Sequence, residues 1–208
     1  MGTATFCLDT FEVLTKKDVD KDEPYIWVIG LLIDRNAFLE QSYVVKKNPT
    51  YGNIGDHYAK GEKRSIKSDL GRVSRSLAPL SEGKLGFGVI VVAFEHDTTS
   101  QEAQQEAYDI AVDTIHDEIK ETVGKGSAPT AAQFDAIKDE LQASIRVVFK
   151  ADTKWYNWLF LGGVDDYVGT DNEVWNLVEG KPLNKGFTLR VGDGDADYRI
   201  VGNMTWTG

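Results

Sequence analysis

Two kinds of hydrophobic pattern alternate along the chain, and this alternation is the strongest constraint on its fold. Up to about residue 92, the runs TATFCLDTFEVL, YIWVIGLLID, QSYVV and KLGFGVIVVAF are rich in β-branched and aromatic residues and are bounded by turn-forming residues. Such runs are typical of β-strands. They return after residue 146 in RVVFKA, YVGTDNEVW, FTLRV and YRIVGNMTW. The chain is therefore a β domain that is interrupted once.

The interruption has a helical pattern. Thr99-Ser-Gln-Glu102 matches a capping box. Apolar residues then recur at every fourth position, at Ala103, Ala107, Ala111, Ile115, Ile119 and Val123. After GKGSAP, Thr130 predicts the start of a second helix, and two helices joined by a short loop pack antiparallel. We predict one antiparallel β-sandwich domain, residues 1–208, with a two-helix hairpin inserted at residues 99–146.

Charge and composition exclude several classes of protein. The formal net charge of −10 argues against binding to a nucleic-acid backbone, because such binding requires clustered Lys and Arg. No run approaches the roughly 20 apolar residues of a membrane-spanning helix. The first nine residues lack a basic segment, so we expect a protein that is cytoplasmic or exported without a Sec-type signal. The single cysteine, Cys7, allows no internal disulfide and suits a buried strand position.

No common catalytic motif occurs in the sequence. The three histidines are far apart and form no zinc-binding pattern, and there is no G-x-S-x-G, P-loop or G-x-G-x-x-G motif. His96 lies between Glu95 and Asp97, so on a continuing strand it would point to the opposite face, at the surface. We therefore expect a binding protein and not an enzyme.

Acidic residues are concentrated in four short segments. These are Asp18, Asp20, Asp22 and Glu23; Glu95 and Asp97; Asp165 and Asp166; and Asp193, Asp195 and Asp197. Any one of them can be a solvated turn, and neither Asp-x-Asp-x-Asp run has the glycine and the closing glutamate of an EF-hand. The first three segments lie where strand-like runs meet loops. If those ends meet at one edge of the sandwich, their carboxylates repel one another unless a cation is bound.

Three of these segments resemble the calcium-binding loops of C2 domains, the calcium-dependent phospholipid-binding β-sandwiches. KDVDKDEPYIWV resembles their first loop, with Glu23 in the place of the Asp before Pro-Tyr. GVIVVAFEHD resembles the opening of their third loop, with Glu95 and Asp97 in two Asp places, and DDYVG resembles its close, with Asp166 as the last ligand. The resemblance implies bound calcium, with these four residues as ligands. It implies completing or supporting roles for Asp18, Asp20, Asp22 and Asp165.

An aromatic stretch, KWYNWLFLGG, lies just before Asp165 and Asp166. As a loop tip it would suit a membrane interface, with Trp155, Trp158 and Phe160 contacting lipid. The same residues also suit a buried strand, a cover for the helical hairpin or a sugar-stacking surface. Our leading hypothesis is a calcium-dependent membrane-binding module. A protein-interaction or toxin-type module with its binding face on the hairpin is the alternative, and a carbohydrate-binding module is a third.

Overall fold

The computed structural model of the chain describes residues 2–16, 23–34, 43–77, 85–97, 99–124, 165–192 and 195–208. In chain order the elements are β1 (Gly2–Thr15), β2 (Pro24–Asp34), β3 (Tyr43–Val45), β4 (Lys63–Ser65), α1 (Ser68–Gly71), β5 (Arg72–Leu77), β6 (Leu85–Glu95), α2 (Gln101–Gly124), β7 (Asp166–Leu177), β8 (Leu183–Gly192) and β9 (Asp197–Trp206).

The strands of the described residues form two antiparallel sheets. In sheet 1 the order is β4-β1-β9-β8, and β5 pairs with the first half of β1 beside β4. In sheet 2 the order is β3-β2-β6-β7. Residues from both sheets form one buried cluster that includes Phe6, Val28, Val91 and Ile200. Two sheets that share a core in this way are a β-sandwich, and the predicted fold class is confirmed.

Helix α2 packs on the outer face of sheet 2 and forms a third layer. Its buried residues Ala107, Tyr108 and Ile115 share a second apolar cluster with Trp27 and Phe94 of that sheet. Sheet 2 is therefore covered on both faces, which explains why YIWVIGLL is continuously apolar instead of alternating. By contrast, β8 is uncovered on one face, and its buried and exposed residues alternate.

The predicted first helix is confirmed, but its cap differs by one residue. The backbone N–H of Ala103 donates to the Ser100 hydroxyl at 3.2 Å, so Ser100 caps the helix. The Thr99 hydroxyl instead accepts the backbone N–H of Asp165 at 3.0 Å. The predicted second helix, the RVVFKA strand and the aromatic stretch lie outside the described residues.

Several short elements were not predicted from the sequence, namely β4, α1 and β5. Each spans six residues or fewer, which is too short for a hydrophobic period to stand out. Cys7 lies in β1 as expected but is only partly buried, because the strand alternation directs its neighbours Phe6 and Leu8 into the core. Within the described part of the chain, no helix is long and apolar enough to cross a membrane.

Candidate metal centre

The sandwich topology brings several of the acidic segments to one end of the molecule. In sheet 2, Pro24 at the start of β2 pairs with Glu95 at the end of β6, and Glu95 pairs with Asp166 at the start of β7. In sheet 1, Thr15 at the end of β1 pairs with Asp197 at the start of β9. The two sets of strand ends lie at the same end of the sandwich, since Gly169 near the start of β7 closely approaches Gly192 at the end of β8.

A β-bulge in β7 decides which residue lies opposite Glu95. Ala93 pairs with Gly169, but the next residue of β6, Phe94, pairs with Tyr167, so Val168 has no partner of its own. Without this bulge, Tyr167 would lie opposite Glu95. With it, Asp166 takes that place, and directly opposed residues share one face of a sheet.

Gly169 allows β7 to approach sheet 1 next to the bulge. A Cβ atom added there would lie 3.1 Å from both the backbone nitrogen of Gly192 and a methyl group of Val191 in β8. Such a contact is tighter than van der Waals packing allows without movement of the neighbours. Glycine is therefore needed where the two sheets close together near the acidic residues.

Glu95, Asp97 and Asp166 form a cluster of carboxylates, which we call the acidic cluster. One oxygen from each lies within 4.8 Å of the others. Glu95 is only 3% exposed, Asp166 is partly buried and Asp97 is exposed, so the cluster is closed on the protein side and open on the loop side. This arrangement has the chemistry of a metal site, because hard cations prefer carboxylate oxygens.

Ionised carboxylates at the separations of the acidic cluster repel one another. Two unit charges 4.8 Å apart repel by about 3.5 kcal/mol at an effective dielectric constant near 20, and by less for pairs that include the exposed Asp97. A divalent cation between the three oxygens would replace this repulsion by attraction. The cluster can therefore hold a metal ion, although its ligand set alone does not select one metal.

Asp165 lies next to the acidic cluster in sequence but faces the other side of sheet 2. It is 3% exposed, and its carboxylate accepts hydrogen bonds from five donors. These are the Tyr25 hydroxyl at 2.8 Å, His96 Nδ1 at 3.0 Å, the backbone N–H groups of Asp97 at 2.9 Å and Thr99 at 3.0 Å, and Gln104 Nε2 at 2.9 Å. An ionised carboxylate offers about four lone-pair sites, so these donors occupy it fully.

The pKa of Asp165 reflects this environment. Burial raises the pKa of the carboxyl, but the hydrogen bond from His96 and those from the backbone of Thr99 and Asp97 outweigh burial and hold the pKa below its ordinary value. Asp165 is therefore ionised at neutral pH. Because an ionised carboxylate can only accept hydrogen bonds, His96 Nδ1 is the donor in this pair.

Tyr25 donates its hydroxyl to Asp165 and is also influenced by the charge of Glu95. Burial, followed by the charge of Asp165 and the hydrogen bond to it, raises the pKa of the Tyr25 hydroxyl well above its ordinary value, and the charge of Glu95 adds to the effect. The hydroxyl therefore stays protonated and remains a donor to Asp165. Its ring stacks on Phe94 at 4.9 Å between centroids, which fixes its direction.

The other predicted site residues lie apart from the acidic cluster or outside the described residues. The carboxylate of Glu23 pairs with His57 Nδ1 at 3.1 Å, and its backbone carbonyl accepts the N–H of His96 at 3.1 Å. His57 has a φ of 57°, which is uncommon for a non-glycine residue. In the fourth acidic segment, Asp197 pairs with Arg190. Of the acidic and aromatic residues that the sequence analysis singled out, seven lie outside the described residues: Asp18, Asp20, Asp22, Asp193, Trp155, Trp158 and Phe160.

Sequence reasoning missed most of the donors that surround Asp165. His96 does face away from its acidic neighbours, but its ring stacks on Tyr51 at 3.9 Å and its side chain is only 17% exposed, so it is not the surface residue that was predicted. A signal for Gln104 was present, because it lies four positions before Tyr108 and seven before Ala111, on the buried face of α2. A polar residue in an apolar stripe indicates a buried partner.

Fold and site together define a class: an antiparallel β-sandwich with an acidic cluster at one end that can hold a metal ion. No protein-family model matches the chain, and no curated protein matches it.

Proposed function

We propose that this protein is a non-catalytic, C2-like β-sandwich that binds calcium in the acidic cluster and uses the bound ion to attach to phospholipid surfaces. The observation that carries the proposal is the convergence of Glu95, Asp97 and Asp166 at one end of the sandwich. The three side chains come from the ends of two neighbouring strands and the loop that follows one of them.

Calcium suits the ligand set better than a transition metal does. All three side chains offer oxygen, whereas zinc and copper sites usually include His or Cys. Calcium takes six to eight oxygens in flexible geometry, so three carboxylates leave room for further ligands. In the sequence, Asp18, Asp20 and Asp22 lie between Thr15 at the end of β1 and Pro24 at the start of β2, and both of these strand ends are at this end of the sandwich. We propose them as completing ligands.

The membrane half of the proposal rests on sequence position. A partly coordinated calcium ion can bridge to the phosphate oxygens of lipids. The aromatic stretch with Trp155, Trp158 and Phe160 ends two residues before Asp165, so the chain leads from it directly into the acidic cluster. Trp and Phe side chains there would insert at headgroup depth beside the bound ion.

The first half of the proposal, the metal half, is that the acidic cluster binds calcium. Thermal unfolding in EGTA, calcium or magnesium tests it. Ligand at a hundred times its dissociation constant adds about 2.7 kcal/mol, which corresponds to a rise of about 5 to 10 °C in Tm for a chain of this size. Glu95→Gln and Asp166→Asn should abolish the rise. Glu179→Gln is the matched control, because Glu179 is exposed in the turn after β7, at the opposite end of the sandwich. Equal Tm values with and without calcium would reject the metal half.

Sedimentation with phosphatidylserine vesicles tests the membrane half separately. The wild-type protein should sediment with vesicles in calcium and stay in the supernatant in EGTA. Glu95→Gln should stay in the supernatant in both conditions, and Trp158→Ala should bind vesicles more weakly while keeping its calcium-dependent rise in Tm. A calcium-dependent Tm without calcium-dependent sedimentation would reject membrane attachment alone.

The exposed face of α2 favours a second candidate function, the binding of a basic protein segment. Glu102, Glu106 and Asp113 line a shallow depression of about 680 Å³ around Ile110, which is 37% exposed. Acidic residues around an exposed apolar side chain complement a segment that carries both basic and apolar groups. If this is the function, Ile110→Ser together with Glu106→Gln should abolish partner binding, and Asp166→Asn should leave it unchanged.

A further inference from the structure

The hydrogen bonds of Asp165 join three parts of the molecule that are distant in sequence. Its carboxylate holds Tyr25 of β2, the loop between β6 and α2, and Gln104 in the second turn of α2. The connection to the loop runs in both directions. Thr99 donates its backbone N–H to the Asp165 carboxylate, and the Thr99 hydroxyl accepts the backbone N–H of Asp165.

This network fixes the backbone on both sides of the acidic cluster. The N–H of Asp97 donates to Asp165 Oδ1 at 2.9 Å, so the residue that carries one proposed ligand is held directly. Asp166 follows Asp165 in the chain and carries another. Because its oxygens are occupied by five donors, Asp165 itself has no lone pair directed at a cation. It therefore contributes to the cluster through the backbone positions of Asp97 and Asp166.

The same network reaches the helix that covers sheet 2. Gln104 is fully buried and donates from Nε2 to Asp165 Oδ2 at 2.9 Å, and its Oε1 accepts the backbone N–H of Tyr51 at 2.8 Å. Any shift of the first two turns of α2 would move Gln104 away from Asp165 and leave a buried charge with fewer donors. Losing a donor to a buried charge is costly. The position of α2 and the position of the loop are thus linked through one carboxylate.

We propose that Asp165 is a positioning residue that presets Asp97 and Asp166 for a cation and links them to α2, so that cation binding and the docking of α2 stabilise each other. This inference rests on the proposed metal site. Linkage between two events is reciprocal, because each changes the free energy of the other by the same amount.

Calcium titration by isothermal calorimetry, well below the unfolding temperature of each variant, tests the positioning role. We expect Asp165→Asn to bind calcium about 10- to 100-fold more weakly, the range that is typical when residues supporting metal ligands are changed. Thr99→Val, which removes the hydroxyl without changing the shape, should also weaken binding. Thr99→Ser keeps the hydroxyl and should bind calcium as the wild type does. If Asp165→Asn does not fold, the calcium affinities of Thr99→Val and Thr99→Ser test the positioning role instead.

Hydrogen exchange tests the link to α2. In the wild type, calcium should slow the exchange of the backbone amides of residues 104–112, and Thr99→Val should lose this protection while Thr99→Ser keeps it. A wild type that binds calcium with unchanged exchange in α2 would overturn the link. Variants that bind calcium with wild-type affinity would overturn the positioning role. A wild type that shows no calcium binding would reject the proposed function itself, and the positioning role with it.

Discussion

Glu95 and Asp165 are both buried carboxylates at the same end of sheet 2, and they have opposite environments. Each is 3% exposed. Glu95 lies with Asp97 and Asp166 in a group of like charges, whereas Asp165 is surrounded by five hydrogen-bond donors. Burial alone therefore says little about the role of an acidic residue. The neighbours decide whether it lies among hydrogen-bond donors or among like charges that a cation can bridge.

Strand alternation explains how two such different environments occur side by side. Phe94 belongs to the outer cluster beneath α2, so Ala93 and Glu95 face sheet 1. His96 then returns to the outer side, where it meets Asp165. Consecutive residues thus contribute to two sites on opposite faces of one sheet, one that holds the structure together and one that concentrates negative charge.

We expect the largest change in the free energy of unfolding when Asp165, the carboxylate surrounded by donors, is replaced. Asp165→Asn should lower the free energy of unfolding in EGTA by about 3 kcal/mol, because the amide nitrogen would face several buried donors. The measurement is urea denaturation at pH 7, with Asp113→Asn on the exposed face of α2 as the control. A loss below about 1 kcal/mol would mean that Asp165 is no more important than an average hydrogen-bonded residue.

A smaller loss is expected when one donor is removed. Tyr25→Phe should cost about 2 kcal/mol, because its hydroxyl donates to a buried charge at 2.8 Å. Tyr58→Phe is the matched comparison, since its hydroxyl donates at the same distance to the neutral carbonyl of Ile54 and should cost about 1 kcal/mol. Urea denaturation of the two variants measures which substitution costs more stability. Equal losses would contradict the special weight given to the charge of Asp165.

The low pKa of Asp165 should also make the stability of the protein depend on pH in acid. The pKa of Asp165 is below its ordinary value, so its contribution is fully present above the unfolded-state pKa of about 3.9 and is lost as the pH falls through the lower folded-state pKa. Below about pH 4, wild-type stability should therefore fall more steeply than that of Asp165→Asn, by at most about 1.4 kcal/mol per pH unit. Urea denaturation in metal-free buffer from pH 7 to pH 3 measures this difference. Parallel curves would contradict it.

We expect the smallest change in the free energy of unfolding for a substitution in the acidic cluster, and this change has the opposite sign. In EGTA, Glu95→Gln should leave the protein equally stable or more stable, by up to about 1 kcal/mol, because it removes repulsion within the acidic cluster. The same variant should be less stable than the wild type in calcium. If Glu95→Gln were strongly destabilised in EGTA, Glu95 would belong with Asp165 among the residues that hold the structure together.

Much of the architecture could be predicted from the sequence. Long strands such as β1, β2 and β6 have strong local patterns, and α2 has a helical stripe over several turns, so each element was recognisable alone. The acidic cluster was predicted in part, because Glu95, Asp97 and Asp166 each lie at the boundary of a strand-like run. The pairing of Glu23 with His57 was not predictable, because a chain segment outside all of the recognised motifs carries His57.

The sequence by itself therefore determined the long strands, the covering helix and the set of acidic residues near strand ends, since these depend on local periodicity and composition. Only the tertiary structure decided which carboxylates meet. The bulge at Val168 places Asp166 rather than Tyr167 opposite Glu95, and the packing of α2 brings Gln104 to Asp165. Both outcomes depend on register and on contacts between residues more than 60 positions apart, and no local pattern encodes a one-residue shift that exchanges the two faces of a strand.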